Sequence, residues 1–340
     1  MVCRLPYVAP TRYADNSLQE RPGPSRATPF QVPTPPPSES GSPVCPWDDT
    51  PDPAGDIPAN IVISISATFH PTSDILPTRP DTMLLSSDDV FFYTHRATML
   101  AKSTNHWNGL MPSLCTLRSS DTSMVVPCPE PAPVLNVRVV LHVVYELSCA
   151  FYKPSLDVIS AAIDAMAAYG IPPKDHIAPS TPLYALILAQ APTNPIAAYV
   201  LAASHDLYSL AVPVSSHLLS FPLRSLTDEL TEKIGPAYLK RLFFLHYGRL
   251  EALRRLLRAP PHPHTPTDRC DFADQQGMTR AWALSSAYLA WDARPDLPAS
   301  AIAAAFLPLA DRLTCYLCKQ NLVERANQVI VQWSMVKRSI

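Results

Sequence analysis

The stretch Asp81–Met111, DTMLLSSDDVFFYTHRATMLAKSTNHWNGLM, decides the reading of the chain. Thr82 to Leu85 are apolar or β-compatible. Ser86, Ser87, Asp88 and Asp89 are turn formers. Val90 to Tyr93 make a second β-rich run, and two such runs joined by a short polar turn predict a β-hairpin. From Arg96 the period changes: Leu100 stands four residues after Arg96, and Met99, Ser103 and Trp107 follow at helical spacing. The stretch therefore reads as strand, turn, strand and helix.

That succession resembles the BTB/POZ family of protein-interaction domains. The resemblance rests on Asp81, Leu84, Leu85, Asp88, Phe92, His95, Arg96, Leu100, Ala101 and Ser103, with Trp107 where the family usually has Phe. It is greatest to the long fungal BTB proteins, in which the domain precedes a helical region, and it covers Asp81 onward. It implies that Asp81, Asp88, His95, Arg96 and Ser103 are structural positions. It also implies homodimerisation, with Val90, Phe92, Met99, Leu100, Trp107 and Leu110 in the domain core or on the dimer face. The sequence leaves open which of these two places each residue takes.

The chain has 340 residues, 47% hydrophobic and 16% charged, with a net charge of −2. That is room for about two domains at roughly 100–200 residues each. A near-neutral chain has no basic excess for phosphates, so a nucleic-acid partner is not expected. No apolar run approaches the ~18 residues of a membrane helix, and no membrane partner is expected either. Eight scattered cysteines do not make a disulfide framework. The N-terminus lacks the apolar core of a secretory signal, so the expectation is an intracellular protein, cytoplasmic or nuclear, with reduced thiols.

Four segments follow from composition and period. Residues 1–58 hold 14 of the 39 prolines and read as a disordered Pro-rich tail. Residues 59–180 read as the BTB/POZ-like domain. It opens with an alternating strand from Asn60 to Phe69, and a third strand lies at Thr122–Val126. A helix is expected at Val134–Leu147. Another begins after Pro154, with Ser155 as N-cap and Ile159, Ala162, Ile163 and Met166 as its buried stripe. Residues 181–258 read as a helical extension: Pro182–Ala191, Pro195–Leu207, Leu223–Gly235 and Pro236–Arg258. The last carries Leu239, Leu242, Phe243, His246, Leu250, Leu253 and Leu257 at helical intervals. Lys240, Arg241, Arg249, Arg254, Arg255 and Arg258 oppose a single Glu251 on its other face, which predicts a solvated basic surface. After the Pro-rich break at 259–267, residues 268–340 complete a C-terminal helical unit (259–340), with helices at Thr279–Trp291, Ser300–Leu317 and Gln320–Val336. Trp282, Tyr288, Trp291, Phe306, Tyr316 and Trp333 are its expected core anchors. The fold class is α+β, a small sheet capped by helices followed by an all-helical region.

No catalytic signature is present: no G-x-S-x-G, H-E-x-x-H, Walker A or G-x-G-x-x-G. His95 reads as a structural imidazole where strand meets helix, not as a general base. The sharpest chemical candidate is a metal site. Cys315 and Cys318 form a C-x-x-C pair, a spacing that lets two thiolates reach one tetrahedral ion. Cys270 and either His262 or His264 complete three Cys and one His, a set suited to zinc. The competing reading is that these thiols are small buried hydrophobes.

The expected function is thus a non-enzymatic protein-interaction module, self-associating or acting as an adaptor or scaffold. Two alternatives stand beside it: a substrate adaptor of a cullin-type ubiquitin ligase, and a zinc-stapled helical scaffold. The segment Trp107–Val126 lacks the glutamate associated with cullin recruitment in the BTB family, so self-association is the safer expectation. Partner identity and cellular process are not legible in these residues.

Overall fold

A computed structural model describes residues 64–111, 124–127 and 134–340. The expected Pro-rich tail, the strand positions before Ser64 and the glutamate-free residues 112–123 lie outside them. The fold is α+β. Two strands, β1 (Ser64–Ile65) and β2 (Thr82–Leu85), are followed by β3 (Val90–Thr94) and, later, β4 (Met124–Pro127). Their order in the sheet is β1-β3-β2-β4. The hairpin forms as expected: β2 and β3 are antiparallel, with Leu84 opposite Phe92. β4 joins β2 in parallel, Thr82 opposite Met124. β1 is only two residues long and runs parallel to β3. Its Ile65 faces solvent while Ser66 is buried, its hydroxyl accepting from the Phe69 amide at 3.2 Å.

The helices follow in sequence. α1 (Arg96–Lys102), α2 (Val134–Val144), α3 (Leu156–Ala168) and the short α4 (Pro173–His176) cap the sheet. In α3 the Ser155 side chain caps the Val158 amide, and Ile159, Ala162, Ile163 and Met166 are all buried, as the period predicts. α5 (Pro182–Gln190), α6 (Pro195–Ser204) and α7 (Tyr208–Ser215) continue the chain. α7 lay in a stretch for which no helix was expected. Its Leu210, Ala211 and Val214 are buried, so tertiary packing stabilises a segment interrupted by Pro213.

α8 (Asp228–Arg258) is continuous except at Gly235, whose φ of 72° and ψ of 160° set a kink before Pro236. Proline in a helix interior removes a hydrogen bond and clashes with the preceding turn; here the kink makes Pro236 the first residue of a new helix. Two of the expectations for α8 are corrected. Phe243 is about half exposed, because Leu245 takes the inward position instead. Arg249 is buried rather than solvated. Its Nε donates to Pro295 O at 2.6 Å and its Nη1 to Val336 O at 2.8 Å, and the guanidinium lies 4.2 Å from the Trp333 ring centre.

α9 (Phe272–Trp291), α10 (Ala299–Phe306) and α11 (Tyr316–Met335) complete the chain. The helix expected over Ser300–Leu317 is broken. After Phe306 the backbone tightens to 3-10 geometry over Leu307–Arg312, which includes Pro308, and Cys315 is extended at the N-cap of α11. The described residues form one compact unit. Its largest core draws buried residues from Phe69 to Leu245, together with Ile340. A second core joins Leu253 and Leu257 of α8 to Trp282, Phe306 and Trp333. The sequence boundary at 258/259 thus falls at the end of a helix whose last turns already belong to the second core. The third core is small: Cys270, Met278, Ala310, Cys318 and Leu322.

Candidate metal centre

His264, Cys270, Cys315 and Cys318 converge in that small third core. Each offers one ligand atom, and the four atoms lie within 4.8 Å of one another. Each is placed by a distinct piece of local structure. His264 sits in the Pro-rich segment that leaves α8. Cys270 closes a tight turn: Thr267 N donates to Cys270 O at 3.0 Å and Cys270 N to Thr267 O at 3.1 Å. The next residue, Asp271, caps α9 in a reciprocal capping box with Asp274. Cys315 is the N-cap of α11 and Cys318 lies in its first turn. The C-x-x-C pair therefore straddles a helix start, where both sulfurs turn to one side. Cys270 and Cys318 are buried in an apolar core, as the reading of small buried hydrophobes also expects, and Cys315 is partly exposed.

The distances fit a tetrahedral ion. The sulfurs of Cys270 and Cys318 are 3.7 Å apart. Zinc–sulfur bonds of about 2.3 Å set tetrahedral sulfurs about 3.8 Å apart. A disulfide needs about 2.05 Å, so the pair is not bonded, and all four described cysteines are free. His264 Nε2 is 3.3 Å from both Cys315 Sγ and Cys318 Sγ. Its other nitrogen, Nδ1, lies 2.7 Å from Thr265 O. A carbonyl can only accept, so Nδ1 carries the hydrogen. Nε2 then presents its lone pair to the sulfurs, the orientation a metal-ligating histidine takes when a carbonyl fixes its tautomer.

The thiols are electrostatically distinct. Backbone amides at the start of α11, Cys318 first, hold the Cys315 thiol down to about 7. Burial pushes Cys318 up to about 12 and Cys270 upward as well. One thiol is thus ready to ionise, while the other two resist ionising in an apolar pocket without a counter-charge. A divalent cation bound there would supply that charge. His262 is outside the group: its backbone carbonyl accepts from the Asn321 amide at 2.9 Å. Of the two candidate histidines, only His264 joins the cysteines.

The hairpin residues are committed to structure. The Asp81 carboxylate accepts from the Arg96 amide at 2.7 Å, satisfying a free donor at the start of α1. His95 Nε2 donates to Thr78 O at 2.8 Å, and Nδ1 lies 3.0 Å from the Tyr145 hydroxyl. Both ring nitrogens are thus hydrogen-bonded within the fold. Ser103 donates to Tyr169 O at 2.6 Å and accepts from the Trp107 amide at 2.8 Å. Asp88 stands just before β3, in the hairpin turn. Phe92, Met99 and Trp107 are core residues, whereas Val90, Leu100 and Leu110 are partly buried against that core. A cleft of about 800 Å³ beside α1 and α4 is lined by Lys102, Glu146 and His176 among others. Lys102 and Glu146 pair there at 2.8 Å, and neither is placed against a nucleophilic hydroxyl or thiol in the hydrogen bonds of the described residues.

Three expected core anchors are instead on the surface. Tyr288, Trp291 and Tyr316 are exposed, while Trp282, Phe306 and Trp333 are buried. The signal that separates them is phase: Tyr288 and Trp291 lie on the side of α9 opposite Trp282. No protein-family model matches the chain, and no curated protein and no solved structure matches it. Among the described residues, no helix is long and apolar enough to cross a membrane.

Proposed function

We propose that the chain is a non-catalytic protein-binding scaffold, in which a BTB/POZ-like sheet-and-helix region is joined to a helical unit stapled by one zinc ion. The observation that carries this reading is the convergence of His264, Cys270, Cys315 and Cys318 on a single point. Three thiolates and one imidazole fill all four positions of a tetrahedral ion, leaving none for substrate, so the centre is structural rather than catalytic. The ion ties the segment after α8 and the start of α9 to the start of α11, and binding free energy becomes folding free energy. The structural commitments of Asp81, His95 and Ser103 support the non-catalytic reading of the other region.

Elemental analysis of the purified chain tests the reading. The expected result is one zinc per chain, and a lower melting temperature after prolonged treatment with a strong chelator. Metal-free protein that melts identically with and without chelator overturns it. Replacement of zinc by cobalt offers a second readout, because thiolate-to-cobalt absorption appears only when the cysteines are ligands.

A further inference from the structure

α9 is apolar on two opposite sides, and only one of them is covered. Gln275, Met278, Trp282 and Leu289 face the C-terminal cores. On the other side Leu284, Tyr288 and Trp291 are 74%, 69% and 93% exposed. An amphipathic surface helix carries polar residues on its outer side. Between Asp274 and Asp292 the only charged residue of this helix is Arg280. Along the outer side Gly277, Leu284 and Trp291 stand seven residues apart, with Arg280 and Ala287 between them.

The residues along this stripe are distributed unevenly. Its first half holds the small and cationic residues, Gly277 and Arg280. Its second half holds the large aromatics, Tyr288 and Trp291. A stripe graded in this way is complementary to itself run backwards. We propose that α9 is the self-association surface of this scaffold, pairing antiparallel with α9 of a second copy about a two-fold axis at Leu284. A two-fold interface requires the same patch on both subunits, each residue meeting its reciprocal. In this register Leu284 meets the partner's Leu284. Gly277 receives the partner's Trp291, and Arg280 lies under the partner's Tyr288 ring as a cation–π pair. Two helices of about 30 Å can meet along their full length in this way. The inference rests on the scaffold reading and names its partner, a second copy of this chain. It also moves self-association away from the hairpin, where Phe92, Met99 and Trp107 are already buried within one chain.

Sedimentation of the full zinc-loaded chain at micromolar concentrations, with zinc content measured on each sample, tests the proposal. The expected wild-type species is a dimer. Leu284→Glu places two like charges against each other on the axis and weakens dimerisation by roughly tenfold or more. Leu284→Lys does the same. An equimolar mixture of the two variants restores the dimer, because residue 284 meets only its own counterpart. Gly277→Leu is a second probe. A side chain added at Gly277 meets nothing within 4 Å in the monomer, and leucine is the better helix former. The variant therefore keeps or gains thermal stability while losing the dimer, since the partner's Trp291 needs that space. A wild-type chain that stays monomeric overturns the proposal. So does a dimer indifferent to Leu284→Glu, or a mixture of charge variants that fails to pair. Zinc content is expected to be the same in every variant, so failure of the α9 interface is distinguishable from failure of the metal centre.

Discussion

The region from Phe69 to Leu245 and the region from Leu253 onward are stabilised differently. The first has one continuous core, in which Phe69, Phe92, Ile159, Ile163, Met166, Tyr199 and Leu242 are wholly buried. Burial of each such side chain is worth roughly 1.5–3 kcal/mol, and the region contains many. The second divides its apolar side chains between two cores, and the smaller has only Cys270, Met278, Ala310, Cys318 and Leu322. Two of those five are candidate metal ligands. Where burial is extensive the chain needs no cross-link. Where it is sparse, the ligands lie within the small core itself.

The largest effect that sharpens this contrast is Phe92→Ala. Emptying its site costs about 3–5 kcal/mol, as for other buried aromatics. Calorimetry is expected to show a lower melting temperature with zinc content unchanged. Loss of zinc in that variant would break the contrast, because it would make the two regions interdependent.

Arg249→Met is expected to cost less, about 1–3 kcal/mol in all, because the carbonyls it leaves belong to half-buried or exposed residues that can turn to water. Its guanidinium serves carbonyls at Pro295, Val336 and Lys337, which belong to the C-terminal segments, while the residue itself sits on α8. The variant should separate one melting transition into two. A single unshifted transition would show that the shared helix, and not this side chain, couples the regions.

The smallest effect is a pH dependence in the first region. His246 is buried and lies 2.9 Å from Leu218 O through Nε2. Burial lowers its pKa below the ordinary 6.5. The folded state therefore binds a proton less readily than the unfolded state. The stability that the neutral ring contributes is fully present above about pH 6.5 and is lost as pH falls through the lowered folded value. Chemical denaturation at a series of pH values should show this decline, flattened by His246→Gln.

Much of this was legible because local rules sufficed. Ser155 and the stripe Ile159, Ala162, Ile163 and Met166 needed only capping chemistry and the helical period. The hairpin needed only its turn residues. Cys270, Cys315 and Cys318 were legible by ligand type, but the choice of His264 over His262 was not. It depends on how the Pro-rich segment turns and on the carbonyl that fixes the ring. Periodicity also identifies apolar sides without showing which are covered, so Tyr288 and Trp291 read as core although they face outward. Arg249 was misread for the converse reason. A cation in a basic stripe looks solvated until the carbonyls that surround it are known. α7 was missed because Pro213 and a short apolar run give no clear period.

The placement of the four ligands has a consequence for the order of events during synthesis. The chain emerges N-terminus first, and the residues of the large core are complete once Leu245 is out, apart from the contribution of Ile340. His264 and Cys270 follow while α11 does not yet exist. Cys318 is the last ligand, so a nascent chain halted before it can offer the ion at most three positions. On the zinc-stapled reading, the staple closes only after Cys318 has emerged, when almost all residues of the preceding core are already present.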